Sequence, residues 1–333
     1  INMNIVIFGA GAIGCHLAYC LDNKKNKIAI ITKKKYLKIY KNNGINLKIY
    51  SNELLKNKIY IKENKNIFFC SNLEDLDNSF KKKISFIFIT LKLKDFTNRI
   101  EKKIFSISNK KTAIIPPCTY LSRWWFYNFF SKNVLINKKF PEYKFFKKYK
   151  KNIVGMTMWL SAKVTKPGFV EVKHIQRGYP ILEFHKSQKK NINRIRELLK
   201  KKCISPKVKN IFSELYIKAI NSFAFNLLAL KTGYNNKKLK KHKNSIYSIN
   251  KIFEEFDNII TSMSLPILQT KKSRIKQTLT STSHTLSMLY DFKNNKKVEL
   301  PYLWNTFMLL SVLTNRDIEF TKKIYFNVIK KIK

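Results

Sequence analysis

The sequence predicts an α/β domain followed by an all-α domain, and three observations predict it. The stretch Asn4-Ile-Val-Ile-Phe-Gly-Ala-Gly-Ala-Ile-Gly14 runs four apolar residues, Ile5 to Phe8, straight into Gly9, Gly11 and Gly14. Strand-like and helix-like runs alternate through the first third of the chain. From about Ser213 onward the period is helical and turn signals are few. The chain has only eight glycines in 333 residues, so three within six positions mark a built turn.

The first element is a buried strand that enters a glycine turn and then a helical run from Cys15 to Leu21. That order seats a dinucleotide pyrophosphate on a helix N-terminus, where free backbone N–H groups and the helix dipole both favour an anion. Gly9 permits the tight turn, Gly11 lets backbone approach phosphate, and Gly14 lets the helix pack closely on the strand. With Ala10, Ala12 and Ile13 they make the expected cofactor loop of a Rossmann-type domain. Ile28 to Ile31 reads as the second strand, with further extended pieces at Leu47 to Tyr50 and Lys58 to Ile61. Ser85 to Thr90 and Thr112 to Ile115 read as later buried strands, and the alternation argues for a parallel sheet with covering helices. Between Ile153 and Phe184 longer β-rich runs turn at Lys166-Pro167-Gly168. Helices are expected at Glu214 to Leu230, Ser245 to Ser262, Lys271 to Asp291 and Leu300 to Asn315, with Asn235 to Asn244 as an exposed loop. The expected domains are therefore 1–207 and 208–333.

Composition removes several classes of function. No window approaches about 18 uninterrupted apolar residues, so no membrane span is expected, and the apolar N-terminal stretch lacks the cationic leader of a signal peptide. The formal charge of +47 raises nucleic-acid binding, yet only seven of the 67 basic residues are arginine. Phosphate and base recognition favours the planar arginine fork, whereas compositional drift supplies lysine, so the charge reads as solvated surface. The five cysteines show no C-x-x-C and the five histidines no metal-ligand spacing. Reduced thiols in a cytoplasmic protein without a metal are expected.

The second strand ends Thr32-Lys33-Lys34-Lys35, with no acid for the ribose hydroxyls. Cationic side chains there suit a 2′-phosphate, which favours NADPH over NADH. Lys92 follows the strand ending at Thr90, at the sheet edge where ligands bind. Lys218, Ser222 and Asn226 stand four apart on one helix and form one polar row. The row either borders a cavity, where a desolvated lysine protonates a developing alkoxide, or faces solvent. Glu299, in Lys296-Lys-Val-Glu-Leu-Pro301, lies at a helix entrance twelve residues after Ser287.

Taken together, these segments resemble the ketopantoate reductase (2-dehydropantoate 2-reductase) family over nearly the whole chain. Thr90-Leu-Lys92 is similar to that family's Thr/Val-x-Lys, and Lys163 to Val170 to its Pro-Gly hairpin. Lys218 and Asn226 match the catalytic Lys and its second Asn, and Ser287-Met-Leu-Tyr-Asp291 with Glu299 matches the Ser-Met-x-x-Asp…Glu pattern. The resemblance implies a helical substrate domain and hydride transfer from NADPH to the C2 carbonyl of a 2-keto acid. Lys218 is then the general acid, Glu299 holds the distal hydroxyl, and Ser287 and Asn226 position the substrate. Two positions depart. Ile115-Pro-Pro-Cys-Thr-Tyr120 replaces the family's Asn-Gly, leaving Thr119 nearest, and Ser222 replaces the first Asn, with Asn221 about 100° away. Trp124 to Tyr127 reads as packed core. A monomer or homodimer reducing ketopantoate is expected. Reduction of another 2-keto acid, or a non-catalytic nucleotide- or RNA-binding role on the same fold, stays open.

Overall fold

The structure, a computed structural model, describes residues 2–23, 25–51, 54–92, 95–116, 121–139, 148–279 and 284–332. These residues divide into two compact units. One takes those within Ile1–Cys118 and Ser122–Ile211, the other those within Thr119–Leu121 and Phe212–Lys333.

The first unit is built on a five-stranded parallel sheet. Its strands are β1 (Asn4–Phe8), β2 (Lys27–Ile31), β5 (Ile67–Cys70), β6 (Ile84–Ile89) and β7 (Ala113–Ile115), in the order β5-β2-β1-β6-β7. Strand order reverses at β1, whose two neighbours are β2 and β6, and ligands of open α/β sheets bind at such a switch point. Ile5, Val6 and Ile7 are fully buried, as expected of a central parallel strand covered on both faces. Helices α1 (Ala12–Leu21), α2 (Lys34–Asn43), α3 (Asn78–Lys82), α4 (Asn98–Ser106), α5 (Arg123–Phe130), α6 (Val134–Lys139) and α7 (Lys189–Lys200) belong to this unit. A second sheet of order β4-β3-β10-β9 joins β3 (Ile45–Ser51) and β4 (Leu54–Ile61) to β9 (Trp159–Lys166) and β10 (Phe169–Gly178). The β9–β10 turn places Gly168 at φ +82°, a conformation that only glycine adopts freely. A short pair, β8 (Val154–Met156) with β11 (Ile181–Glu183), completes the unit. Trp124 to Tyr127 are buried in α5, as core.

The second unit is helical: α8 (Ile211–Thr232), α9 (Asn236–Lys241), α10 (Lys243–Ser262), α11 (Lys271–Thr278), α12 (Ser287–Lys293), α13 (Leu300–Thr314) and α14 (Glu319–Ile332). Three sequence expectations are corrected here. Asn235–Asn244 is no loop: the Asn235 side chain caps α9 by accepting from Lys238 N, and His242 Nδ1 caps α10 by accepting from Ser245 N. Two such caps restart the helix despite the run of lysines. Lys271–Asp291 is not one helix. α11 ends at Thr278, where Leu279 leaves helical geometry at φ −89°, ψ +83°, and α12 begins at Ser287. The final helix α14 had no sequence signal. The Glu255 carboxylate caps it from another element, accepting from Phe320 N at 2.8 Å and Thr321 N at 2.9 Å.

Arginines are used internally in both units. Arg274 is fully buried and donates to Asp257 Oδ1 at 2.8 Å, with its guanidinium over the Phe253 ring. Arg123 pairs with the buried Glu101, which also accepts from Trp124 Nε1 at 2.7 Å. Removing one partner leaves the other charge buried and unpaired. Arg274→Ala is therefore expected to lower the unfolding free energy by about 3–5 kcal/mol, read from urea denaturation. A loss below about 1 kcal/mol would mean that the pair behaves as an exposed one.

Candidate functional site

The glycine turn lies between β1 and α1. Gly9 sits at φ +125°, and a Cβ added at Gly14 would lie 1.8 Å from the Gly9 carbonyl oxygen, so neither position accepts a side chain. Gly11 differs: a Cβ there would meet nothing within 4 Å, which leaves open space over the helix end. Gly11 is the N-cap of α1 without a side-chain cap, and the first backbone bond of the helix runs from Cys15 N to Gly11 O. The amides of Ala12, Ile13 and Gly14 precede that bond and point out of the helix end, where a phosphate oxygen accepts them. The cradle fits a dinucleotide pyrophosphate.

Two side chains hold this turn. Thr90, following β6, donates from Oγ1 to the Gly9 carbonyl at 2.7 Å. Tyr40 of α2 donates from its hydroxyl to the Ala10 carbonyl at 2.5 Å. Burial pushes the Tyr40 phenol above its ordinary pKa, so the donor stays protonated. Thr90 was legible only as part of a motif, and Tyr40 carried no sequence signal. Lys33 is the N-cap of α2 and Lys34 its first residue, both exposed at the C-terminal end of β2. Lys33 Nζ lies 3.7 Å from Asp95 Oδ1, and Lys92 is exposed two residues beyond Thr90. Gly9 to Gly14, Lys33, Lys34 and Lys92 thus all follow the C-terminal ends of adjacent strands.

The second set of residues lies in the helical unit. From Ser213 to Leu230, every residue of α8 is buried except Lys218 and Ser222, which are half-buried. Lys218 and Ser222 are thus the only openings between Ser213 and Leu230. Desolvation pulls Lys218 down from its ordinary 10.5 to about 8, and the buried Glu214 carboxylate one turn earlier opposes that shift. Asn226 is 4% exposed and fully engaged in positioning: Nδ2 donates to the Ser222 carbonyl at 2.7 Å, and Oδ1 accepts from Met288 N at 2.9 Å. That second bond caps α12 and brings exposed Ser287, its first residue, to the polar row. Glu299 is the half-buried N-cap residue of α13 and makes no side-chain cap bond, with Pro301 in the first turn. Thr119 lies outside the described residues. Asn221, a residue that the polar row passes by, is 2% exposed, and neither of its side-chain polar atoms has a partner among the described residues.

The two turn glycines separate folding from binding. Gly14→Ala is expected to lower the thermal midpoint, because its Cβ has no room. Gly11→Ala is expected to keep the midpoint and weaken dinucleotide binding at least about tenfold, an energy of about 1.4 kcal/mol, measured by calorimetric titration. Unchanged affinity in Gly11→Ala would remove the cradle from this turn.

No curated protein sequence matches the chain. Residues 5–117 match the family model described as Ketopantoate reductase PanE/ApbA. Among solved structures, D-mandelate dehydrogenase with NADH and anilino(oxo)acetate is 16% identical at a TM-score of 0.76, covering 100% of this chain and 98% of its own. A PanE/ApbA family ketopantoate reductase from Ralstonia eutropha JMP134 is 14% identical with TM-score 0.73, covering 100% and 98%. The 2-dehydropantoate 2-reductase from Methylococcus capsulatus is 15% identical with TM-score 0.72, covering 100% and 96%. Over residues 5–117 the chain is similar to the ketopantoate reductase PanE/ApbA family, and its fold is that of these solved proteins.

Proposed function

We propose that this protein reduces the C2 carbonyl of a 2-keto acid with NADPH, that ketopantoate is the substrate, and that the product feeds pantothenate and coenzyme A synthesis. The observation that carries the proposal is Lys218: a lysine drawn down to about 8, half-buried beside Ser222 among the buried residues of α8. The fold neighbour solved with NADH and anilino(oxo)acetate supports the reaction class, since it pairs a nicotinamide with an oxo acid.

When held by the glycine turn, NADPH would supply the hydride that C2 takes up. Lys218 Nζ supplies the proton that the C2 oxygen takes up, so that the carbonyl becomes a hydroxyl. A lysine near 8 stays largely protonated at neutral pH, yet gives up its proton far more readily than an exposed one. Asn226, Ser222 and Ser287 position the carboxylate end, Glu299 accepts from the distal hydroxyl, and Thr119 takes the place of the family's Asn. The amides of Ala12 to Gly14 would hold the pyrophosphate, and Lys33, Lys34 and Lys92 would face the ribose and its phosphate.

Lys218→Ala is expected to lower kcat about 10²- to 10⁴-fold, the usual worth of a positioned general acid, while NADPH still binds by fluorescence titration. Full turnover in that variant would exclude Lys218 as the acid. The pH dependence has two opposite signs. Rate falls as pH rises through about 8, because the protonated amine is the donor. Stability rises between about 8 and 10.5, because there the unfolded lysine holds a proton that the folded one has lost. A rate profile flat from pH 7 to 10 is the contrary result.

A substrate panel run with NADPH and NADH side by side tests the finer reading. Ketopantoate with NADPH is expected to give the highest kcat/KM. Changing Lys33 and Lys34 together to Ala is expected to raise KM for NADPH about tenfold and leave KM for NADH within about twofold, a 1.4 kcal/mol discrimination. Equal effects on both cofactors would place the 2′-phosphate elsewhere.

A further inference from the structure

Away from the glycine turn, α1 carries His16 and Cys20 on one face, four residues apart. Cys203, 183 residues after Cys20, follows the C-terminal end of α7. One imidazole nitrogen and the two sulfurs lie within 4.8 Å of one another, and Cys20 Sγ is 3.8 Å from each of the His16 ring nitrogens. Two ligands on a tetrahedral zinc-type ion, with bonds of about 2.0–2.3 Å, stand about 3.5–3.8 Å apart. The cluster is within about 1 Å of that arrangement.

The surroundings hold the cluster in place. Lys202 donates to the carbonyls of Tyr19 and Asp22 at 2.9 and 2.8 Å, which pins the Cys203 segment to the end of α1. Tyr179 N donates to Ile204 O at 2.9 Å, and Ser205 Oγ to Tyr179 O at 2.8 Å. Gly178, at φ +59°, permits this approach: a Cβ there would lie 2.1 Å from Ile204 O and 3.1 Å from Cys203 Sγ. His16 is fully buried, and its Nδ1 is 2.6 Å from the Tyr179 hydroxyl. With Nδ1–H donating to that hydroxyl, Nε2 keeps its lone pair, the state that a metal ligand needs.

We infer that His16, Cys20 and Cys203 form a three-ligand site for a thiophilic divalent cation of the zinc class, which staples the far end of the dinucleotide helix to the segment after α7. Two thiolates neutralise the ion, so the buried complex carries no net charge. Half-buried Cys203 gives the ion its entry, and the fourth position is left for water. Each ion taken up displaces two thiol protons, so uptake weakens as pH falls. Sequence spacing missed the site because its third ligand comes from the far end of the unit.

The test uses the full chain, reduced, stripped with chelator and titrated anaerobically with Co²⁺ and then Zn²⁺. One equivalent of Co²⁺ is expected to give thiolate charge-transfer absorption and tetrahedral visible bands, which Zn²⁺ bleaches, and Zn²⁺ is expected to raise the thermal midpoint. Cys203→Ser is expected to lose the bands and the thermal shift, and Cys70→Ser, changed on β5, to keep both. Cys203 is partly exposed, so its variant carries the test even where Cys20→Ser fails to fold. Absent bands, or bands unchanged in Cys203→Ser, would overturn the site. So would a reduced protein that takes up no ion and only forms a Cys20–Cys203 disulfide on oxidation.

Discussion

Where β1 ends, backbone meets backbone with no room for a side chain. The Gly14 Cα faces the Gly9 carbonyl so closely that a Cβ would fall 1.8 Å from its oxygen, and Thr90 Oγ1 bonds the same carbonyl from β6. This contact fixes the axis of α1 against two neighbouring strands at once. The consequences run along the helix. Its first amides face the open space at Gly11, and its buried far half brings His16 and Cys20 to Tyr179 and Cys203. One tight contact therefore sets both ends of α1. A change that relaxed it would tilt the phosphate cradle and the cysteine cluster together, because a ten-residue helix turns as a rod.

The helical unit solves a different problem. α8 is apolar nearly all round, and its few polar groups are disposed in different ways. Asn226 is satisfied: it uses one bond within its helix and one to cap α12, which makes it a strut between the two helices. Lys218 is drawn down because desolvation outweighs the attraction of Glu214. The balance is informative, for a solvent-facing stripe would leave the lysine at its ordinary value. The sequence left cavity and solvent open for this row. Lys218 and Ser222 are half-buried, and every other residue from Ser213 to Leu230 is buried.

What was legible in the sequence is what depends on neighbours along the chain. The glycine turn, the parallel strands beside it and the i, i+4 row on α8 are all local patterns, and periodicity exposes them. The misses share one cause. Glu255 caps α14 from about sixty-five residues away, and Cys203 joins α1 from the far end of its unit, so no window contains both partners. The Asn235 and His242 caps were local but hidden under lysines, which in this chain mark composition more than structure. Lysine content also blunted the cofactor argument. Lys33 and Lys34 stand at the end of β2, where a 2′-phosphate is read, yet lysine would occur there by composition alone.

The charge itself has a physical role that does not depend on any single contact. Arg123, Arg196 and Arg274 are bound within the protein, so the surface excess is carried by lysines. With 67 basic residues against 20 acids, the field around the chain is positive whichever lysines are counted. Such a field draws anions to the molecule without specifying them, and salt screens it over about 8 Å at physiological ionic strength. A dinucleotide and a 2-keto acid are both anionic, so each gains from it on approach. Under the proposed function, discrimination would fall to short-range groups: the amides at Gly11 to Gly14 for phosphate, and Lys218 with the row beside it for the keto acid. Drift toward lysine therefore costs this chain little in binding, because it strengthens the unspecific part of attraction and leaves the specific part to buried geometry.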